Sequence, residues 1–253
     1  MIQVEGLVRR YGSTLAVDGV SFHVAAGELL ALVGASGSGK TTTLKMINRL
    51  VEPDAGQVVV EGRDALRLPP HLLRRGIGYV FQGVGLFPHL TVGGNVAVPL
   101  RLLRWSRERT RDRVLELLAL VELDPELAAR YPAALSGGQQ QRVGVARALA
   151  ASPRVLLLDE PFAALDPLTR DRLQQSLDRL RHRLALTAVF VTHDVAEAVA
   201  LADRIGVMRS GRLVQIGRPE ELASRPADDE VARLLDTPVR QARLVADRLR
   251  ADR

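Results

Sequence analysis

Residues 2–8 and 20–24 are dominated by β-branched and apolar side chains, with turn signals at Tyr11-Gly12 and Ala26-Gly27, and both segments predict strands. Residues 29–33 are wholly apolar, which suits a strand buried on both faces of a sheet. That run ends in a glycine-rich loop, after which 41–50 predict a helix. Further strands are expected at 58–60 and 77–81. From 91 to 150 the period changes, because Leu100, Leu103, Val114, Leu117, Leu118 and Val121 recur at helical spacing. Alternation then resumes: strand 155–158, helix 168–184, strand 187–191, helix 195–202, and two short strands, 204–208 and 212–216, around Ser210-Gly211. Strands alternating with helices predict a mainly parallel sheet with helices on its faces. The Arg/Asp/Leu-rich tail from about Ala227 predicts a helix.

Composition narrows the function classes. The 253 residues are 47% hydrophobic and 25% charged, enough apolar material for a core without disulfide staples. The absence of cysteine excludes disulfides, thiolate metal sites and cysteine nucleophiles, and fits a reducing compartment. The first residues lack the apolar h-region of a secretory signal. No uncharged apolar run approaches the ~18–20 residues of a membrane span, so any membrane role is expected to come through a partner. The net charge of +6 raises nucleic acid or anionic lipid as partners. The arginines are spread along the chain, however, and read as a solvated surface with a modest concentration near the C-terminus.

Gly34-Ala35-Ser36-Gly37-Ser38-Gly39-Lys40-Thr41 matches G-x-x-x-x-G-K-[ST] between a buried strand and a helix. Glycines let successive N–H groups curl toward phosphate oxygens, and the following helix N-terminus, with Thr42 in its first turn, favours the anion. Lys40 can reach the β- and γ-phosphates, and the Thr41 hydroxyl can coordinate Mg²⁺. Val155 to Leu158 ends in Asp159-Glu160. Ligands sit at the carboxyl ends of parallel strands, so Asp159 is expected to hold the Mg²⁺ shell and Glu160 to act as general base on the attacking water. His193, after strand 187–191, can donate to the γ-phosphate, and Gln82, after strand 77–81, can ligate Mg²⁺ or water. Leu135-Ser136-Gly137-Gly138-Gln139 precedes a helical segment at 140–150 and forms a second anion cradle, a hydroxyl with bare amides at a helix N-terminus. Two cradles about 100 residues apart in one chain are most economically explained by two copies pairing head to tail, each cradle facing the other cradle of its partner.

Taken together, the phosphate loop, Gln82, Leu135–Arg142 (LSGGQQQR), Leu156–Pro161 (LLLDEP), Ala164-Leu165-Asp166 and His193 resemble ABC transporter nucleotide-binding subunits in order and spacing, across residues 2–222. The resemblance implies an α/β P-loop NTPase (RecA-like) core at 1–87 and 151–226, with an N-terminal antiparallel β subdomain and an inserted helical subdomain at 88–150. These make one ATP-binding domain, 1–226, followed by a short helical extension, 227–253. It implies that Tyr11 stacks on adenine and that Ser136, Gly137 and Gly138, with Gln139, contact the γ-phosphate held by the other subunit of a homodimer. Asp166 lies at the dimer seam, and Gln82 links ATP to a groove for a membrane subunit's coupling helix. Ala163-Ala164-Leu165-Asp166 has Ala where many relatives have Gly or Ser.

The separate short chain resembles importer subunits, with integral membrane permeases and an extracytoplasmic substrate-binding protein as partners, on the cytoplasmic face of the membrane, and no nucleic acid. Residues 43–53, 85–89 and 102–105, Leu235-Asp236-Thr237-Pro238 and Gln241-Ala242 resemble the importers of glycine betaine, carnitine, choline or proline. Many of those continue into paired CBS domains, for which the roughly 30 residues after the core are too few. A lipid or other small-solute transporter, and an ABC ATPase acting on ribosomes or DNA, remain as alternatives.

Overall fold

The computed structural model describes residues 1–83, 85–163 and 165–251, with side chains through 248; Ala164 of the Ala-Leu-Asp segment lies outside the described residues. Strands β1 (Ile2–Tyr11) and β2 (Thr14–Val24) form a hairpin with Tyr11 opposite Thr14. Its two-residue loop needs a positive φ at the first position, and Gly12 supplies it at 57°. After β3 (Leu29–Val33) come the glycine loop and α1 (Lys40–Ile47). β4 (Ala55–Val60) and β5 (Arg63–Asp64) complete an antiparallel sheet of order β2-β1-β4-β5. Then follow α2 (Pro70–Arg75) and β6 (Ile77–Val80). The expected helical stretch contains α3 (Val92–Leu102), α4 (Arg107–Leu120) and α5 (Gly137–Leu149), with short 3₁₀ turns at Pro125–Ala129 and Pro132–Ala134. β7 (Val155–Asp159), α6 (Pro167–Leu184), β8 (Thr187–Val191), α7 (Val195–Leu201), β9 (Arg204–Arg209) and β10 (Arg212–Gly217) finish a second sheet of order β10-β9-β3-β8-β7-β6. Its strands are parallel except β10. Helices α8 (Pro219–Ser224) and α9 (Asp229–Ala251) come last.

The apolar runs at β3, β7 and β8 are explained by two cores. Leu29, Ala31, Val33, Leu156, Leu158 and Phe190 enter one buried cluster, shared with Leu100, Leu117 and Val143 of the helical stretch. Leu30, Leu32, Val155, Leu157, Val189 and Val191 enter the other, shared with α1 and the antiparallel sheet. Successive side chains of a strand point to opposite faces, so a strand covered on both sides needs an apolar residue at every position.

Several boundaries differ from the sequence expectation. Helix α1 ends at Ile47, not 50, because Arg49 takes φ 56° and the amides of Leu50 and Val51 turn back to the Lys45 carbonyl. Leu103 is not a core position: it caps α3 and is 39% exposed. Helices α2 and α8 are one-and-a-half-turn elements opened by Pro70 and Pro219, too short to show a period.

Asn95, fully buried in α3, pins the preceding loop. Its Oδ1 accepts from the Phe87 amide at 2.8 Å, and its Nδ2 reaches the carbonyls of Phe87, Leu90 and Thr91 at 3.0–3.1 Å. Asn95→Ala leaves several of these groups unpartnered at ~1–3 kcal/mol each. We expect a loss of about 3 kcal/mol, lowering Tm by roughly 6–12 °C. Thermal denaturation followed by circular dichroism measures it; a Tm within 2 °C of the parent would mean that the loop is held by other contacts.

Candidate functional site

Register places the chemistry. Val191 of β8 sits opposite Leu32 of β3 on one side and Asp159 of β7 on the other. The glycine loop after Val33, the Asp159-Glu160 pair and the Thr192-His193 pair therefore leave the sheet side by side at its carboxyl end. Val80 of β6 pairs with Leu158, which puts Phe81 and Gln82 at the same end. Gln82 itself is exposed.

The loop is squeezed between β9 and β2. A Cβ on Gly34 (φ 149°) would lie 2.1 Å from the Met208 carbonyl oxygen, and one on Gly39 (φ 100°) would lie 2.5 Å from that of Ala16. Only glycine fits either position. The buried Lys40 ammonium donates to the Gly34 and Ala35 carbonyls at 2.7 and 2.8 Å and to Ser38 Oγ at 3.2 Å. Burial pushes its pKa down, and the carboxylates of Glu160 and Asp159 act against that shift. Thr41 Oγ1 donates to Asp159 Oδ1 at 2.8 Å, and the Tyr79 hydroxyl donates to Asp159 Oδ2 at 3.3 Å. Burial raises the Asp159 carboxyl above its usual range, opposed chiefly by the Thr41 hydrogen bond. Tyr79 is pushed far up by burial and then by the Asp159 charge, so its phenol stays a donor. The sequence does not single out Tyr79; an aromatic residue in a strand is ordinary, and only its register beside β7 gives it this role.

Glu160 follows β7 with φ 47°, a conformation sparsely used by side-chain-bearing residues and held here by its amide donating to Val191 O at 2.9 Å. Its Oε1 lies 3.3 Å from His193 Nδ1. Glu160 is mostly covered, whereas His193 is open to solvent. The expected base and the expected γ-phosphate donor thus meet.

The second cradle is more regular than its sequence suggests. Helix α5 begins at Gly137, within the Ser-Gly-Gly run, not at 140. Ser136 is its N-cap: Ser136 Oγ accepts from the Gln139 amide at 3.2 Å, while Gln139 Oε1 accepts from the Ser136 amide at 3.0 Å. This reciprocal capping box fixes the glycines as the first helical turn. Asp166 likewise caps α6, accepting from Thr169 N at 3.0 Å; hydrogen bonding by the Thr169 side chain and amide holds its carboxyl below the usual range. Tyr11 is 47% exposed, with the Arg9 guanidinium 4.8 Å from its ring centre.

A cavity of about 460 Å³ lies against the loop residues 34–38 and His193. Its far wall is the first half of α9, through Glu230, Arg233 and Leu234, which the sequence predicts only as a short helical extension. Arg209 fastens that wall by pairing with Asp228 and Glu230 at 2.7 and 2.8 Å. Neither Tyr11, Asp166 nor any of residues 136–139 lines this cavity. A second, largely apolar groove of about 630 Å³ runs between β6 and α3, with Phe81, Phe87 and Leu102 exposed in it. Arg147 closes its floor by donating to Gly85 O at 2.8 Å.

Residues 17–163 match the family model described as ABC transporter. The chain belongs to the ABC transporter family. Its relatives in that family include the choline transport ATP-binding protein OpuBA of Bacillus subtilis, 49% identical over 91% of this chain and 61% of that protein. The glycine betaine uptake system ATP-binding protein YehX of Escherichia coli is 48% identical over 100% of this chain and 82% of that protein. The sulfate/thiosulfate import ATP-binding protein CysA of Bordetella parapertussis is 51% identical over 89% and 64%. The chain spans about three fifths of the length of the first curated relatives it matches. Among solved structures, the ATP-binding cassette MJ0796, a dimer in a post-hydrolysis state bound to ADP and Pi, superposes with a TM-score of 0.80 at 35% identity, covering 86% of this chain and 98% of that one. The α/β cassette expected from the resemblance is the fold observed.

Proposed function

We propose that this chain is the ATP-binding and ATP-hydrolysing subunit of an ABC importer, acting as a homodimer beneath integral membrane permeases. The observation that carries the reading is the convergence at one sheet end of Lys40, the Thr41–Asp159 pair and the Glu160–His193 pair. The loop amides and Lys40 bind the triphosphate. Thr41 and Asp159 supply adjacent hard oxygen donors that suit Mg²⁺, whose remaining positions are normally filled by phosphate and water; Gln82 is a further candidate ligand. When bound, the ion offsets charge on the β- and γ-phosphates. Glu160 accepts a proton from water as its oxygen attacks the γ-phosphorus and the bond to the ADP oxygen breaks. His193 steadies the γ-phosphoryl oxygens.

Residues 136–139 do not line the cavity beside the glycine loop and His193 of their own chain, which supports a second copy supplying Ser136, Gly137, Gly138 and Gln139, with Asp166 at the seam. The half-exposed Tyr11 ring is the candidate for stacking on adenine. The apolar groove beside Gln82 suits a permease helix, since an exposed apolar cleft of this kind marks an interaction surface. No described helix is long and apolar enough to cross a membrane. Within this reading the core occupies 1–87 and 151–226, the helical unit 88–150 and the extension 227–253, and the subunit sits peripherally on the cytoplasmic face.

For cargo we infer quaternary ammonium osmoprotectants, supported by the choline and glycine betaine systems among the relatives. An extracytoplasmic binding protein would then deliver the solute. The equally similar sulfate/thiosulfate subunit favours a second reading, in which another small solute is carried. Reconstitution with the co-expressed permease separates them. We expect glycine betaine or choline to raise ATP turnover several-fold, whereas a response to sulfate alone reassigns the cargo. Failure to bind any permease counts against the importer role.

A further inference from the structure

A charged network behind His193 has no place in the mechanism above. Arg170, in the second turn of α6, donates through Nη2 to the Leu165 carbonyl at 3.2 Å, one residue before the cap Asp166. Its Nη1 lies 3.7 Å from Asp194 Oδ2, and its Nε lies 3.7 Å from Glu197 Oε1. That Nε is buried and has no hydrogen-bond partner among the described residues. Glu197, in α7, is itself buried, and its Oε2 accepts from Thr192 Oγ1 at 2.8 Å. The same Thr192 oxygen accepts from the Asp194 amide at 3.0 Å. His193 is thus held between two residues that both report to Arg170. A small pocket of about 50 Å³ is lined by Arg170, Glu197 and Thr192 together with Glu160 and His193.

A buried carboxylate is costly unless it is paired and hydrogen-bonded. Burial does push Glu197 above its usual range, with Thr192, Arg170 and His193 opposing the shift and Asp194 adding to it. A surface ion pair would have served folding equally well. Here the pair spans two segments that the hydrolysis reading uses separately, the seam residue Asp166 and the phosphate-contacting His193.

We propose that Arg170 is a positioning residue for hydrolysis, which, through Glu197 and Thr192, fixes His193 relative to the Leu165-Asp166 segment. The inference rests on the proposed ATPase reading and deepens it. A displacement of Asp166 by the partner subunit pulls on the Leu165 carbonyl, moves the guanidinium and shifts the Thr192-His193 backbone. The network touches neither the loop nor the proposed adenine-stacking residue, so those nucleotide contacts stay in place and KM for ATP is expected to change little.

The test uses steady-state ATPase measurements on the full chain in its transport complex. Arg170→Gln and Glu197→Gln are each expected to lower kcat about tenfold, as small misplacements of reacting groups do, with KM for ATP within about twofold. The double variant is expected to be no slower than the slower single one, because both break one linkage. Arg170→Lys keeps the charge but lacks the fork that reaches Leu165 and Glu197 together, and is expected to recover less than half of the lost turnover. Should Arg170→Gln fail to fold, Arg170→Lys carries the test alone. A folded Arg170 variant with kcat within about twofold of the parent, or losses that multiply in the double variant, overturns the proposal. Glu160→Gln in the same assay separates two failures. If it also keeps its turnover, the reaction is misassigned and this inference falls with it; if it alone is inactive, only the positioning role falls.

Discussion

Glu160→Gln is expected to slow ATP turnover by about 10²-fold or more, the range for losing a general base, while ATP affinity stays within about threefold. The substitution is nearly isosteric. An amide preserves the volume beside His193 and a hydrogen-bonding oxygen at the 3.3 Å contact, and it leaves the backbone bond from residue 160 to Val191 O in place. What it removes is the capacity to take a proton from water. Lys40, Thr41 and the loop amides are untouched, so binding and ATP-driven closure of the dimer survive. Phosphate release under saturating ATP and a nucleotide titration measure the two halves of the expectation. Turnover at the parent rate would remove Glu160 from the chemistry.

The second large effect is expected at Lys40. Its ammonium sits under the loop, tied to the carbonyls of Gly34 and Ala35 and to Ser38, and forms the only buried cation in the cradle among the described residues. Charge-assisted contacts to phosphate are roughly twice as strong as neutral ones. In Lys40→Ala the loop also loses the strut that holds two of its carbonyls inward. ATP affinity should fall by about 10²-fold or more, equivalent to ~2.7 kcal/mol. Fluorescent-nucleotide titration at matched Mg²⁺ reads this directly; an unchanged Kd counts against the cradle as the triphosphate site.

The local parts of this site were legible in the sequence, and the relations between them were not. Gly34 to Thr41 declares itself because a phosphate loop is contiguous, and the apolar runs at 29–33, 155–158 and 187–191 marked buried parallel strands. The order of those strands is a tertiary fact: nothing in the sequence places β8 between β3 and β7, yet that order brings Glu160 to His193. Tyr79, Arg170 and Glu197 went unnoticed for the same reason, since each acquires meaning only from a neighbour about 27 to 80 residues away. The start of α5 was legible in principle. Ser136 and Gln139 have capping-box spacing, but two glycines with poor helix propensity argued for a loop. The packing of the first turns of α9 was not legible, because Val231 and Leu235, which bury it, are too few to set a period.

The row formed by Leu32, Val191 and Asp159 constrains how the molecule can do mechanical work. The glycine loop, Glu160 and His193 follow adjacent strands of one hydrogen-bonded sheet at this row, so their mutual spacing is as stiff as the sheet. The cap of α5 and the turn at Asp166 stand off that sheet, on helices docked through side chains. On the proposed ATPase reading, the sheet is the fixed bench and these helices the limb, so compliance engineered into the limb is expected to change the stroke without retuning the bench.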